Sequence, residues 1–301
     1  MSDRKSDDRR FGFGDNWLVF ARDLSTHQIV EAEKSLRGLL RRDSLRGATF
    51  LDVGSGSGLL SLAARRLGAR VHSFDYDTNS VLCTQRLRDL HFPGDRDWTV
   101  ERGSILDPDY RRTLGTVDIV YSWGVLLHTG AMSDALDAAS RLVAPGGVFA
   151  FALYHRTLMC RLWQMEKRWY AGASPQAQRR ARAIYRALLR LNFALKRRDF
   201  GSYVANYQSI RGMDFVRDLH DWMGGYPYES ISSPEVDALL RRLGFARVHG
   251  MATPLTTGIF GSGCDEYLYC PVDRDRAFVG PELRRGFGVS EPLPSRVEAA
   301  A

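Results

Sequence analysis

The chain reads as an α/β protein with seven strands in a mostly parallel sheet, helices on both faces, and a helical insertion before the last two strands. Three observations carry that expectation. Apolar strand-like runs alternate with helix-like segments between residues 48 and 153. The first strand runs straight into the alternating glycines Gly54, Gly56 and Gly58. The alternation then stops between residues 154 and 233 and resumes afterwards.

The spacing predicts a strand over Thr49–Val53, a helix from Leu59, a strand over Arg70–Phe74 and a helix over Thr78–His91, which Asp77 would cap. A third strand is expected over Thr99–Arg102, a fourth over Val117–Ser122 and a helix over Ser133–Leu142. The turn Ala144-Pro145-Gly146-Gly147 then leads into a strand over Val148–Leu153. Such alternation implies five parallel strands joined by right-handed crossovers. A helix over Pro234–Leu243 and strands over Ala246–His249 and Glu266–Cys270 complete the sheet. The expected organisation is an N-terminal helical segment (1–47), a Rossmann-like core (48–153), a helical and loop insertion (154–233), the end of the sheet (234–270) and a tail (271–301). The tail is rich in charge, proline and glycine, and is expected to wrap the surface or stay disordered.

At 301 residues and 44% hydrophobic composition the chain can bury a sizeable core. No apolar run reaches membrane-span length, and the first ten residues lack the apolar centre of a signal peptide, so a cytoplasmic location is expected. Cys83, Cys160, Cys264 and Cys270 show no Cys-x-x-Cys pairing, so buried free thiols are expected and no metal. Net charge is +7, and between Arg161 and Arg198 eleven basic residues face the single acid Glu166.

The glycine spacing narrows the ligand. A dinucleotide fingerprint needs Gly-x-Gly-x-x-Gly, whereas position 59 is Leu and the third glycine falls at 58, which disfavours NAD. Asp52 puts a carboxylate at the strand end, where an amino group or sulfonium is favoured over a pyrophosphate. S-adenosyl-L-methionine fits that description. Ser55 belongs to the same loop, and Asp75, with Tyr76 beside it, sits where a carboxylate accepts both ribose hydroxyls. Gly103, Ser104 and Ile105 follow the third strand and can border an adenine ring, while Ser122, Trp123 and His128 follow the fourth.

These residues, in this order, resemble class I S-adenosylmethionine-dependent methyltransferases. The resemblance covers residues 48–153 and rests on Asp52-x-Gly54-x-Gly56-x-Gly58, Asp75, Gly103-Ser104, Asp118 to Ser122 and Pro145-Gly146-Gly147. Within the class the chain is similar to the ubiquinone-methyltransferase-like branch. A bacterial subgroup there carries Ser-Trp-Gly-Val-Leu-His-His-Thr-Gly, and this chain keeps His128 but has Leu127 for the preceding His. The resemblance also implies that Phe13, Trp17 and Phe20 close over the methionine end of the cofactor, and that S-adenosyl-L-homocysteine is the product.

Methyl transfer to a hydroxyl or a protonated amine needs a base, and His128 is the first candidate, with His155 at the end of the fifth strand as the second. A buried structural histidine is the bland alternative for His128. Acceptor contacts are expected from Tyr154, Arg211, His220, Asp221, Trp222, Tyr226, Tyr228 and Glu229, which cluster aromatic and ionisable groups around Gly224-Gly225. In the helix expected over Gln178–Arg198, Ile184, Leu188, Leu191 and Leu195 recur at helical spacing, with Arg179, Arg182, Arg186 and Arg190 opposite. The expectation is an apolar stripe packed on the domain beneath a solvated arginine face, in preference to nucleic-acid or membrane contact.

The expected function is therefore methyl transfer to an oxygen or nitrogen of a small metabolite, with a place in bacterial secondary metabolism. A homodimer is compatible with the chain. Three alternatives stay open: tRNA or rRNA methylation through the arginine helix, a non-catalytic cofactor-binding protein, and a dinucleotide oxidoreductase.

Overall fold

The computed structural model describes residues 10–14, 17, 24–207, 214–252 and 257–272. The helices are α1 (Thr26–Leu40), α2 (Leu59–Arg66), α3 (Thr78–His91), α4 (Pro108–Leu114), α5 (Met132–Ser140), α6 (Cys160–Ala171), α7 (Pro175–Leu195), α8 (Phe200–Ala205), α9 (Phe215–Gly224) and α10 (Ser233–Arg242). The strands are β1 (Thr49–Val53), β2 (Arg70–Asp75), β3 (Trp98–Arg102), β4 (Val117–Trp123), β5 (Val143–Tyr154), β6 (Phe245–Met251) and β7 (Cys264–Pro271).

The seven strands form one sheet in the order β3-β2-β1-β4-β5-β7-β6. Strands β1 to β5 pair in parallel, and β7 runs antiparallel to both β5 and β6. The order reverses between β1 and β4, which opens a crevice at their carboxyl ends. Alternation along β1 separates two apolar layers: Leu51 and Val53 join one buried cluster and Phe50 the other. Asp52 shares the face of Phe50, so its carboxyl group lies inside the protein, 2% exposed.

Most expected elements stand where the spacing put them, with two informative differences. The Ala144-to-Gly147 turn is drawn into β5, whose pairing with β4 jumps from Val117↔Val143 to Ile119↔Val148. It is a bulge on a longer strand. The second difference concerns α7. The stripe expected to pack inward is exposed: Ile184 is 62%, Leu188 53%, Leu191 56% and Leu195 77% open to solvent. The packed face is instead Tyr185, Leu189 and Phe193, which join Tyr170, Tyr207, Phe215 and Leu219 in a third apolar cluster. Arg182 also leaves the solvated set, because it donates to the Tyr170 hydroxyl and lies 3.0 Å from His220 Nδ1.

All four cysteines are free; Cys83 and Cys160 are buried as expected, whereas Cys264 and Cys270 are half-buried. The tail from residue 273 and Phe20 lie outside the described residues.

Helix α5 needs help at its start. Its N-cap residue is Ala131, which has no side-chain acceptor. The Glu229 carboxylate, from the chain leading into α10, accepts the Met132 N–H at 2.9 Å and supplies the missing cap. Replacing Glu229 with Ala is expected to cost about 1 kcal/mol of stability, read as a lower urea midpoint at unchanged slope, and to leave cofactor affinity intact.

Candidate functional site

One cavity of about 1310 Å³ opens at the carboxyl ends of β1, β2 and β4 and continues under α7 and α9. A single small ligand takes about 300–1,000 Å³, so this volume suits two molecules side by side.

The glycine loop forms one end. Gly54, Gly56 and Gly58 all have positive φ, near 80°, 53° and 80°, which L-residues rarely adopt. A methyl group at Gly54 would sit 2.3 Å from Val125 Cγ1, and one at Gly56 would come 3.2 Å from Trp17 Nε1. Side chains are excluded from both places. The Trp17 carbonyl accepts the Cys83 thiol at 3.1 Å, which anchors the indole over the loop.

Two carboxylates flank the loop and do different jobs. Asp75, at the end of β2, accepts Gly56 N–H at 2.9 Å on one oxygen and Asp77 N–H at 2.9 Å on the other. Asp75 lines the cavity, and its carboxylate keeps acceptor capacity for a donor there. Burial outweighs these bonds and pushes its pKa up to about 6. Asp52, at the end of β1, lines the cavity beside the loop and is held from behind. Its Oδ2 accepts the Ser61 hydroxyl at 2.5 Å, and Ser61 continues to Ser73 at 2.6 Å and from there to the Trp98 indole at 2.9 Å. Burial first, and then the charge of Asp75, raise the Asp52 pKa to about 7. Its charge at the cavity wall favours an amino group or sulfonium, as its place at the strand end led one to expect.

Tyr76, Gly103, Ser104, Ile105 and Trp123 line the cavity as well. The Arg10 and Arg102 guanidinium carbons each lie 5.5 Å from the centre of the Tyr76 ring. Gly103 gives room to the Tyr110 ring, which a methyl group there would overlap. Ser122 is a correction: it is fully buried and donates to the Val53 carbonyl at 3.0 Å, tying β4 to β1. Gly58 is another, because it N-caps α2 behind the cavity wall.

The other end is aromatic. His128 sits in a one-turn 3₁₀ segment after β4, with Phe13 5.2 Å and Tyr154 5.5 Å from its ring centre. Its Nδ1 lies 2.6 Å from the Pro227 carbonyl. A carbonyl only accepts, so Nδ1 carries the proton and Nε2 is the ring's acceptor. Burial drives the His128 pKa down to about 4; the Pro227 carbonyl opposes this and the charge of Lys167 adds to it. The imidazole is therefore neutral across the physiological range. Tyr154 also packs edge-on to Trp222 at 5.4 Å, and Trp222, Asp221 and Tyr226 line the wall.

Four expected acceptor or base residues turn elsewhere. His155 points its Nδ1 at Asp265 Oδ2, 2.8 Å away, and this pair ties β5 to β7 off the cavity wall. His220 is taken up by Tyr170 and Arg182, at 2.8 and 3.0 Å. The Tyr228 hydroxyl, in a fully packed position, donates to Ser262 at 3.0 Å, and Glu229 caps α5. Arg211 lies outside the described residues. Conversely, Tyr185, Leu189 and Phe193 line the cavity and had not been singled out. Their i, i+4, i+8 spacing marks a second apolar face on α7, which the neighbouring stripe concealed.

S-adenosylmethionine fits the groups present. The loop admits close approach, Asp75 offers acceptors for a diol, and both buried carboxylates gain from a nearby cation. Among the described residues no cluster of side chains suits a metal ion.

Comparison with known proteins agrees. Residues 51–149 match the family model described as a methyltransferase domain. The ubiquinone biosynthesis O-methyltransferase of Burkholderia multivorans is 32% identical over 126 residues, 40% of this chain and 50% of that protein. Its counterpart in Paramagnetospirillum magneticum is 36% identical over 111 residues, 37% of this chain and 42% of that one. The chain thus spans about half the length of the curated relatives it matches. The structure of PKMT2 from Rickettsia typhi in complex with AdoHcy superposes with a TM-score of 0.51 at 14% identity, covering 82% of this chain and 53% of that one, and shares the fold. Residues 51–149 thus match a methyltransferase domain, on a fold shared with a protein solved in complex with AdoHcy.

Proposed function

We propose that the chain transfers a methyl group from S-adenosylmethionine to an oxygen or nitrogen of a small metabolite, including those of bacterial secondary metabolism, with His128 as base. One observation carries this: a single cavity joins the Asp75 carboxylate at the glycine loop to His128, Tyr154, Trp222 and Tyr226 at its other end. The O-methyltransferase names of the two curated relatives favour oxygen.

When bound, S-adenosylmethionine supplies an electrophilic methyl group and leaves as a thioether. The protein's part is to align, dry and deprotonate. Gly54 and Gly56 would let the backbone close on the adenosyl end, and Asp75 would hold the ribose. Phe13, Tyr154, Trp222 and Tyr226 present flat faces that exclude water around the acceptor. His128, neutral and locked in one tautomer by Pro227, receives the acceptor's hydroxyl proton at Nε2. A low pKa suits an acceptor that is itself acidic, such as a phenol.

RNA methylation draws less support. Arg182, one of the four arginines on which it rested, is engaged inside the helical cap with Tyr170 and His220. Incubation with methyl-labelled S-adenosylmethionine and a cell extract separates the two: label in small molecules is expected, and RNase-sensitive label would reverse the assignment.

Asp75→Ala is expected to weaken S-adenosylmethionine binding by about one to two orders of magnitude, measured by calorimetry, from the loss of charge-assisted hydrogen bonds. His128→Ala should leave that affinity within about twofold and lower kcat by about 10²–10⁴. The pH dependence should split. Protonation of Asp75 and Asp52 below their values of about 6 and 7 removes the charges that favour the cofactor, so its KM rises as pH falls through that window. The kcat at saturating cofactor stays level there, because His128 stays neutral until the pH nears about 4.

A further inference from the structure

Beyond the aromatic wall around His128 the cavity continues into a lobe that the proposed chemistry leaves unused. Two helices each turn one face into it. On α7, Tyr185, Leu189, Asn192 and Phe193 share that face at helical spacing, and on α9 so do Phe215, Asp218, Leu219 and Trp222. Helix α9 sets the length of the lobe. Just past its C-terminal end Gly225 abuts the histidine, since a methyl group there would come 2.9 Å from His128 Cε1. Phe215 opens the helix, which at 10 residues is about 15 Å long. There Phe200 and Tyr203 pack on Phe215, with ring centres 5.9 and 6.2 Å away, and both pack in turn on Phe193, at 5.6 and 4.7 Å. Asn192 adjoins Phe193 and lines the cavity, so it stands at the end of the lobe remote from His128.

The chemistry of Asn192 contrasts with the walls around it. Those walls are mainly aromatic and aliphatic, and two of the tyrosines are committed: Tyr185 donates its hydroxyl to the Phe260 carbonyl at 2.7 Å, and Tyr207 donates its own to Asp218. Asn192 is half-buried and holds a carboxamide with two donors and an acceptor, which nothing among the described residues bonds. A ligand that covers such a group without bonding it is penalised, and one that bonds it is favoured. We propose that Asn192 is a specificity-determining residue, which hydrogen-bonds a polar group at the far end of an extended acceptor whose reacting atom lies at His128. The acceptor class is then a flat molecule of at least two linked rings, because the walls between the two ends are largely ring faces. This deepens the methyl-transfer reading and rests on it for the direction in which the acceptor lies.

Calorimetric titration of the full chain, with S-adenosylhomocysteine filling the cofactor site, tests it with three probes. These are phenol, 4-phenylphenol, and 4′-hydroxybiphenyl-4-carboxamide, which adds a carboxamide to the far ring. The carboxamide is expected to bind about tenfold tighter than 4-phenylphenol, through paired hydrogen bonds with Asn192, and phenol to bind weaker than either. Asn192→Leu should erase the difference between the two biphenyls. Unchanged S-adenosylmethionine affinity confirms folding, and Asn192→Ala carries the test if the leucine variant fails that check. Equal binding of the two biphenyls by the wild type would overturn the proposal, as would a difference that the variant keeps, or no binding of either. The readout is affinity and stands apart from turnover. Loss of the difference in the variant supports Asn192 whether or not methyl-labelled S-adenosylmethionine labels the probes, and a bound probe left unlabelled counts against the methyl-transfer reading alone.

Discussion

The hydrogen bond from Gly56 N–H to Asp75 is the constraint on which the site is built. It joins the loop after β1 to the end of β2, and so fixes a left-handed glycine backbone against a carboxylate whose other oxygen is held by Asp77 N–H. Parallel pairing of β1 with β2, from Thr49↔Arg70 to Val53↔Phe74, brings both strands to their ends at the same level. The glycines follow from this closeness, because Val125 and Trp17 occupy the space that side chains at 54 and 56 would need. The crevice beyond is where the strand order reverses, and every group assigned to the cofactor lies on it or directly behind it.

Burial sets the chemistry at both ends of the cavity, with opposite sign. At the loop it raises the pKa values of Asp52 and Asp75, which leaves two carboxyl groups whose ionisation a cation would favour. At the aromatic end it lowers that of His128, which keeps the imidazole neutral and able to accept a proton. The hydrogen bonds then decide orientation. Ser61 holds one oxygen of Asp52, and Pro227 holds His128 in the tautomer whose Nε2 is basic.

Much of this was legible in the sequence because it is local. The strand-to-glycine junction, the N-cap at Asp77 and the carboxylate ending β2 are set by residues within a few positions of one another. The hydrogen-bonded chain behind Asp52 was not, since Ser61 and Ser73 come to it from another helix and strand. Nor were the roles of His155, His220, Tyr228 and Glu229. Each has the chemistry of a binding residue, and each meets a partner between 30 and 110 positions away in sequence that converts it to a tie within the fold. Helix α7 shows the limit of periodicity. Two apolar stripes share it, the leucine-rich one looks the better core face, and only the third apolar cluster selects Leu189 and Phe193.

Calorimetric titration with S-adenosylmethionine near pH 6.5, in buffers of different ionisation enthalpy, counts the protons exchanged on binding and tests the central claim most directly. Carboxyl groups with pKa values near 6 and 7 must ionise as the cation arrives, so the account predicts net proton release that fades toward pH 8. Binding without proton release at pH 6.5, or no binding, would contradict it.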